Sequence, residues 1–463
     1  MPTELLTPVL EGGIRHVNFF NGRLLTAEDL RDEQQSGQKQ LRDLGQALGE
    51  GVVSGLQVEK DPVAASGARV TITPGTALNR KGDMLRLPTQ ISLELVPRET
   101  RQAAGNGDFI ECSPATSATP TGTGVYVLVM SPASQLQDRA PKVGLKDNGV
   151  SRRCGSRYQV EGVQFRLIFL DADSDVLLPA GLQTPVRNLL QKTTLTRAEE
   201  SKLRNLLAHW CLGTVERKSF TGDLMAYLPG GQQAIQYGPL DKIRRTGADQ
   251  PQRLTGCDVP LSLIFWTGGA IGFVDMWSIR RRVHSAPASY APPFPLDDRV
   301  HAENEAAFLQ FQQQVAWLTA PNVSQIQLST VRAQDYFHYL PSLGCIPYST
   351  SPATRGFDYL KFFQGLTYRD RVIIEGIRLQ SLLRFSLDCA PLAIESPQES
   401  EQLWWLYGIR ENAALPGTGG NAVTHYLVFA SGYIPYAGEA QYNLSRWNFS
   451  NYSPGVSFEP RGE

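Results

Sequence analysis

The feature that most constrains the fold is a two-residue alternation of apolar and polar side chains between residues 52 and 95. Val70 and Ile72 precede a Pro74-Gly75 pair, and Leu85 and Leu87 repeat the same spacing beyond it. Successive side chains of a β-strand point to opposite faces, so this spacing predicts strands with one buried face. The Pro-Gly pair predicts a turn between them.

Two longer apolar runs extend this β-rich region. Val125–Met130 and Val163–Leu170 are almost continuously apolar, which is typical of strands covered on both faces. Between the two sets of strands, Ala103–Gly124 is rich in Ser, Thr, Pro and Gly and predicts a surface loop. We therefore expect one β-rich unit over residues 56–180.

A helix is predicted close to the N-terminus, from about Ala27 to Leu48. Thr26 and Asp29 have the spacing of a capping box, in which the first residue caps the helix and the fourth returns a hydrogen bond. The apolar residues of this helix are few, and two glycines weaken it. We expect it to gain stability by packing on another chain. Its main apolar residues are Leu30, Leu41, Leu44 and Leu48.

A second capping box, Thr196 with Glu199, predicts another helix. Leu203, Leu206, Leu207 and Trp210 fall on one face of it, which indicates a helix packed on a core. A third helix is expected at Glu303–Leu318, where apolar residues again recur at helical spacing.

The middle and C-terminal parts contain further strand patterns. Leu261–Trp266 and Ile271–Trp277 flank a Gly-Gly pair and predict a buried hairpin. The Pro-rich segment 286–296 predicts a linker. The alternation from Ile377 to Leu387 and the apolar run Tyr426–Phe429 favour a β-sandwich-like terminal domain.

The expected fold is mainly β and multidomain, with β-sandwich-like domains, an N-terminal extended arm plus helix and a few further helices. The predicted divisions are an arm and helix over 1–55, a β-rich domain over 56–180, a mixed α/β domain with a buried hairpin over 181–285, a linker and helix over 286–340, and a β-sandwich-like domain over 341–463.

Charge and cysteine usage argue against several classes of protein. There are 44 Lys and Arg residues against 45 Asp and Glu, so the field that draws a protein onto nucleic acid or an anionic membrane is missing. The 6 cysteines lie far apart without a CxxC pair, which favours buried reduced thiols. The first residues lack the basic and apolar regions of a signal peptide.

The usual signatures of catalysis and of metal binding are absent. No GxxxxGK[ST], HExxH or GxSxG pattern occurs, and the 6 histidines are scattered singly. Asp171, Asp173 and Asp175 begin like a calcium loop, but Val176 stands where a glycine is needed and Leu182 where a glutamate is needed. We predict no catalytic residue, no metal site and no cofactor.

Two features leave binding roles open. Arg280, Arg281 and Arg282 suit interface ion pairs better than nucleic acid, because the run is short and lies beside Asp275. The C-terminal end is rich in aromatic residues, which could stack on sugar rings or fill a core. These aromatic residues are Trp404, Trp405, Tyr433, Tyr436, Tyr442, Trp447, Phe449 and Tyr452.

Several blocks of the sequence resemble proteins encoded with phage-tail-like contractile injection systems. The most specific block is Asn18–Gln34, followed by Gly51–Val58. Weaker similarity extends through Val70–Leu95. The middle and C-terminal blocks are Cys257–Trp266, Phe273–Arg281, Tyr426–Ala430 and Ser445–Asn448. In the proteins of this class an extended arm and a helix precede a β domain.

This resemblance implies a non-enzymatic structural component of such a particle, at the baseplate or tail periphery. The expected partners are other tail and baseplate proteins and copies of this chain, with contact to a target surface left open and with neither nucleic acid nor membrane insertion expected. Assembly in a bacterial cytoplasm, followed by release or membrane association of the particle, needs no signal peptide.

The arm and helix are expected to dock the chain through an assembly interface. Its predicted residues are Phe19, Phe20, Leu24, Leu25, Leu30, Leu41, Leu44, Arg280 and Arg281. Two alternatives stay open: a receptor- or glycan-binding tail-fibre module that uses the C-terminal aromatic residues, and a hydrolase of the cell envelope that uses a pair of carboxylates.

Overall fold

A computed structural model of the chain describes the greater part of its 463 residues. The described residues are 14–61, 68–96, 117–120, 122–141, 154–172, 177–218, 238–245, 253–283, 295–320, 326–349, 356–396, 402–413, 425–435 and 437.

The N-terminal part consists of one helix followed by strands. The elements are α1 (Ala27–Leu48), β1 (Gly51–Gly55), β2 (Val58–Lys60), β3 (Arg69–Ile72), β4 (Gly75–Leu78), β5 (Met84–Leu87), β6 (Ile91–Glu94), β7 (Thr123–Pro141) and β8 (Cys154–Leu170). The six short strands form two small antiparallel sheets, ordered β1-β4-β5 and β2-β3-β6. The predicted strands between residues 70 and 95 are confirmed.

The middle part adds helices and a hairpin. Its elements are α2 (Ala180–Leu190), α3 (Arg197–Cys211), α4 (Thr214–Lys218), α5 (Gly238–Arg245), β9 (Val259–Thr267) and β10 (Ile271–Asp275). The last two strands are antiparallel, which confirms the predicted hairpin. They join the long strands in one antiparallel sheet ordered β10-β9-β7-β8.

This four-stranded sheet is the central layer of the N-terminal and middle parts. Leu128 and Ile264 on one face pack with the two small sheets, whereas Val127 and Leu263 on the other face pack with helices including α2 and α3. Both faces are buried, which explains why these strands are almost continuously apolar. The arrangement is a sheet layer, a central sheet and a helix layer.

The predicted boundary at residue 180 falls inside this unit. Val125 of β7 pairs with Phe265 of β9, so residues from the predicted β-rich domain and from the predicted mixed domain share one sheet. Pairing between distant segments is decided by tertiary packing, and a composition change along the chain does not reveal it. The structure therefore combines the two predicted domains.

The C-terminal part is built on another sheet. The elements are α6 (Pro295–Thr319), α7 (Ala333–Tyr336), β11 (Tyr339–Leu340), β12 (Leu343–Tyr348), α8 (Tyr359–Phe362), β13 (Val372–Ile374), α9 (Arg378–Ser386), β14 (Leu392–Ala393), β15 (Trp404–Ile409), α10 (Arg410–Ala413) and β16 (His425–Ser431). Four strands form a sheet ordered β12-β16-β15-β13, in which only β13 and β15 are parallel. The predicted helix at Glu303–Leu318 lies within α6. The predicted linker 286–296 lies outside the described residues, apart from its last two.

Helices cover this C-terminal sheet in place of a second sheet. Phe311 and Val315 of α6 pack with Phe429 on one face, and Leu382 of α9 packs with Tyr407 on the other. The C-terminal part thus differs from the predicted β-sandwich. The whole chain is nevertheless mainly β with additional helices, as predicted.

The strand expected from the alternation at Ile377–Leu387 was wrong, because this segment is α9. Leu382 and Ser386 are buried four residues apart, and Leu379 packs partly on the same cluster. Ile377 and Phe385 are exposed. Apolar residues at every second position favoured a strand, but Leu382 and its neighbours also fit the spacing of a helix.

Candidate assembly surface

The helix α1 is defined by local hydrogen bonds at its N-terminus. The hydroxyl of Thr26 accepts from the backbone N–H of Asp29 at 3.1 Å, and the Asp29 carboxylate accepts from the N–H of Thr26 at 2.9 Å. These bonds form the predicted capping box. They and the adjacent Arg23 guanidinium lower the pKa of Asp29 below its ordinary value, with the backbone bond from Thr26 the largest cause.

The arm that precedes α1 folds back along it. The chain reverses at Asn21-Gly22, where Gly22 has a φ of 89°. The Ser36 hydroxyl donates to the Arg15 carbonyl, and the N–H of Val17 donates to the Glu33 carboxylate at 3.1 Å. The arm and the helix therefore form one small antiparallel unit.

This unit contacts the rest of the chain at a turn between β4 and β5. Arg42 forms an ion pair with Asp83 at 2.5 Å, and the side-chain amide of Gln46 donates to the Lys81 carbonyl at 3.0 Å. Gly45 lies directly against the backbone of Gly82, with no room for a side chain. The described contacts all use the second half of the helix.

The buried surface of the unit is small. Only Ser36 and Gly45 of α1 are buried, so none of its leucines contributes to a core. Leu24 in the arm is 90% exposed and Leu41 in the helix is 68% exposed. Isolated exposed apolar residues are common, but contiguous apolar patches mark interaction sites.

The exposed apolar residues form two groups. We call Phe19, Phe20, Leu24 and Leu25 the arm cluster, and Leu30, Leu41, Leu44 and Leu48 the leucine stripe; every member of both is exposed. Successive helix residues are about 100° apart, so the four stripe residues fall within an arc of about 60°. This stripe is as narrow as the seam of a coiled coil.

The arm and the body flank the leucine stripe. By the same helical geometry, Glu33 and Gln40, which contact the arm, lie on one side of it, and Gly45 and Arg42, which contact the body, lie on the other. The described contacts therefore leave the stripe uncovered. The seven apolar residues of the predicted interface all belong to these two groups.

The structure places the two predicted interface arginines elsewhere. Arg280 is 6% exposed and donates to the carbonyls of Leu56, at 2.9 Å, and Gly55, at 2.5 Å. Burial lowers the pKa of this guanidinium to about 10. Arg280 is thus a structural residue inside the chain, which corrects its assignment to the interface.

Arg281 is half-buried, and its side chain also forms hydrogen bonds within the chain. It donates to the carbonyls of Trp277, at 3.0 Å, and Arg280, at 2.8 Å. Arg282, its neighbour, is exposed and pairs with Glu305 at 3.3 Å. The structure therefore does not bring the arginine run together with the arm cluster or the leucine stripe.

The described residues show no alternative site for metal chemistry. No group of three or more His, Cys, Asp or Glu side chains among them could hold a metal ion. Asp173 and Asp175 of the calcium-like loop lie outside the described residues. Within the described part of the chain, no helix is both long and apolar enough to cross a membrane.

The cysteines have different environments. Burial raises the pKa of the Cys211 thiol and raises that of Cys345 to about 12, which keeps both thiols protonated and unreactive. Cys257 is in a disulfide. The expectation of reduced thiols was therefore wrong for Cys257, because cysteine spacing does not show which residues meet in space.

A cavity of about 270 Å³ lies between α5, β9 and α6. Its Glu50 carboxylate accepts from Arg244 at 2.9 Å and lies 3.6 Å from Arg80. These cationic side chains are engaged with a carboxylate of the chain itself. The cavity is therefore a partly neutralised cleft, and its lining also includes the Cys211 thiol and the Glu303 carboxylate.

The C-terminal aromatic residues are divided between the core and the surface. Trp404 and Tyr407 are fully buried, whereas Tyr433 is exposed. Tyr436, Tyr442, Trp447, Phe449 and Tyr452 lie outside the described residues. The described part therefore offers Tyr433, and not Trp404, for stacking on a ligand.

No protein-family model matches this chain, and no curated protein matches it. Among solved structures, a crystal structure of TssK is similar at 11% sequence identity and a TM-score of 0.18. The similarity covers 53% of this chain and 66% of that one. A TM-score this low supports no argument about fold or function.

Proposed function

We propose that this chain is a structural component of a phage-tail-like contractile injection particle, docked at the baseplate or tail periphery by its N-terminal arm and α1. The observation that carries the proposal is the exposure of both the arm cluster and the leucine stripe on a segment joined to its own body mainly at one turn. The proposed role needs no catalytic step.

The physical argument is that this apolar surface, which is exposed within the described residues, gains stability when another chain covers it. Full burial of a leucine or phenylalanine contributes about 1.5–3 kcal/mol, and the eight side chains remain largely in water within the described structure. A narrow stripe of leucines is suited to a partner helix packed along it. The resemblance of Asn18–Gln34 to proteins encoded with contractile injection systems supports the choice of particle.

The direct test is a pair of matched double variants in the producing cell. Leu41→Glu with Leu44→Glu places two charges in the leucine stripe, whereas Gln35→Glu with Ala47→Glu places two charges at exposed positions of α1 outside it. We expect the first variant to be missing from purified particles and the second to be incorporated normally.

Two further measurements make the result specific. Both variants should give the circular dichroism spectrum of the wild-type chain, since neither touches a buried residue. Removal of residues 1–50 should also leave a folded β-rich protein that does not join the particle. Normal incorporation of the Leu41/Leu44 variant would overturn the docking role of α1.

A further inference from the structure

The long strands β7 and β8 continue beyond the rest of their sheet. β9 pairs with β7 only as far as Met130, whereas the ladder between β7 and β8 continues to Pro141 and Cys154. Residues 135–138 and 157–162 are exposed on both faces of this two-stranded ribbon. Two strands alone are marginally stable in water, so the ribbon would gain from a further strand.

The two edges of the ribbon differ. On β7, Pro132 lacks a backbone N–H and Asp138 has a φ of 55°, and both features disrupt pairing with another strand. β8 has no proline, and its register with β7 runs without a shift from Tyr158 to Leu170. The edge of β8 is therefore the one that can accept a strand.

The direction of the backbone groups on β8 follows from Leu167. Its N–H donates to the Ser117 hydroxyl at 3.0 Å and its carbonyl accepts from Ala118 at 2.9 Å, both on the side away from β7. Backbone groups alternate sides along an antiparallel strand. The N–H and C=O groups of Arg157, Gln159 and Glu161 therefore point outward, and no described residue bonds to them.

We propose that β8 of a second copy of this chain pairs antiparallel with this edge, about a two-fold axis at Gln159. In this register Arg157 lies opposite Glu161 of the other copy, and Tyr158 lies opposite Val160. Opposite charges and aromatic–β-branched pairs stabilise antiparallel strands when they are directly opposite each other. The symmetry repeats each pair, as an isologous dimer requires.

The same register satisfies the backbone. Arg157 opposite Glu161 and Gln159 opposite Gln159 pair residues whose N–H and C=O groups all point outward, so each pair can exchange two hydrogen bonds. The exposed Tyr158 and Val160 side chains would lie together on one face of the resulting four-stranded ribbon. Backbone and side chains thus select one alignment.

Neighbouring registers lack this complementarity. With the axis at Tyr158 or Val160, the charged side chains of Arg157 and Glu161 lie opposite uncharged residues. With the axis at Arg157 or Glu161, identical charges lie opposite each other, which is destabilising. Charge complementarity therefore identifies a second copy, in one register, as the partner.

The first test uses proline at an outward-facing position. Gln159→Pro removes an N–H that points away from β7, so it blocks pairing with another chain and leaves the ladder within the chain intact. Gln159→Thr, which favours strands, is the matched control. By sedimentation equilibrium of the full chain, we expect dimers for the wild type and for Gln159→Thr, and monomers for Gln159→Pro.

The second test exchanges charges across the two-fold axis. Arg157→Glu and Glu161→Arg should each dimerise about tenfold or more weakly, because like charges meet twice in each dimer. An equimolar mixture of the two should form heterodimers, since each glutamate of one variant then meets an arginine of the other. The double variant R157E/E161R should dimerise like the wild type.

Several results would overturn the proposal. These are a wild-type chain that stays monomeric across the concentration series, dimers that persist in Gln159→Pro, or single charge variants that dimerise as tightly as the wild type. The Leu41/Leu44 variant should still dimerise through β8. Failure of the β8 pairing is therefore separate from failure of docking through α1, which is measured by incorporation into the particle.

Discussion

Gly45 of α1 and Gly82 of the turn between β4 and β5 pack backbone against backbone. A Cβ atom on Gly45 would overlap the carbonyl oxygen of Gly82, and a Cβ atom on Gly82 would overlap the carbonyl oxygen of Arg42. Gly82 also has a φ of 84°, which favours glycine. This close contact is the joint between the arm unit and the body.

Substitution at this joint should loosen α1. Gly45→Ala forces two backbones apart, and overpacking of this kind costs about 1–3 kcal/mol. We expect faster amide hydrogen exchange in the second half of α1 and in residues 79–83. Gly37→Ala is the control, because a Cβ atom there meets nothing within 4 Å. Because alanine has the better helix propensity, Gly37→Ala should stabilise α1 by about 1 kcal/mol and so slow amide exchange. Equal effects of the two variants would contradict the role of Gly45 as the contact between α1 and the body.

The two capping boxes should differ in their effect on global stability. Thr26→Ala and Thr196→Ala each remove an N-cap, worth about 1 kcal/mol to the helix. Ten residues of α3 are buried, against two of α1, so loss of the Thr196 cap should lower the midpoint of urea unfolding. Loss of the Thr26 cap should increase only local exchange in α1. An equal drop in the midpoint would show that α1 unfolds with the core.

The cap of α3 should weaken in acid. Hydrogen bonds from the Lys192 ammonium and, to a smaller extent, from Thr196 lower the pKa of Glu199 from 4.5 to about 2. A lowered folded-state pKa means that this contribution is complete above about pH 4.5 and is lost as the pH falls towards 2. The protection factors for amide hydrogen exchange at the start of α3, which are corrected for the intrinsic exchange rate at each pH, should fall over this window. Glu199→Gln should remove this pH dependence. A pH dependence that persists in the variant would point to another titrating group.

Substitution of Arg280 should lower the free energy of unfolding more than substitution of Arg282, although the two residues are close in the sequence. Arg280→Ala leaves the carbonyls of Gly55 and Leu56 without their donor, at a cost of about 2 kcal/mol or more in the free energy of unfolding. Arg282→Ala removes an exposed ion pair with Glu305 and should cost less than about 1 kcal/mol. Urea unfolding measures both; equal costs would contradict the structural role of Arg280.

The elements predicted correctly are those specified by neighbouring residues. The capping boxes at Thr26 and Thr196 join groups three residues apart, and both helices begin where the boxes predict. The hairpin around Gly268-Gly269 is equally local. The helix α9 was missed because the leucines between Ile377 and Leu387 fit both a strand spacing and a helix spacing. The burial of Leu382, which falls outside the two-residue alternation, distinguishes the helix from the strand.

Part of the candidate assembly surface could also be predicted from local sequence features. The few apolar residues of α1 indicated a helix without a core of its own, and the exposed leucine stripe agrees with that expectation. The arginine run gave no sign of which side chain turns inward. Arg280 turns inward to donate to the carbonyls of Gly55 and Leu56. These acceptors lie about 225 residues away in the sequence, so no local pattern reveals them.

By itself, the sequence determined the start of α1 and α3, the main strands and the weak self-packing of the N-terminal helix, because these depend on groups a few residues apart. The tertiary structure alone decided that β7 pairs with β9, that helices cover the C-terminal sheet, and that no described strand pairs with the outer edge of β8 at Arg157, Gln159 and Glu161. Those outcomes depend on which distant surfaces bury each other, and no local spacing encodes that choice.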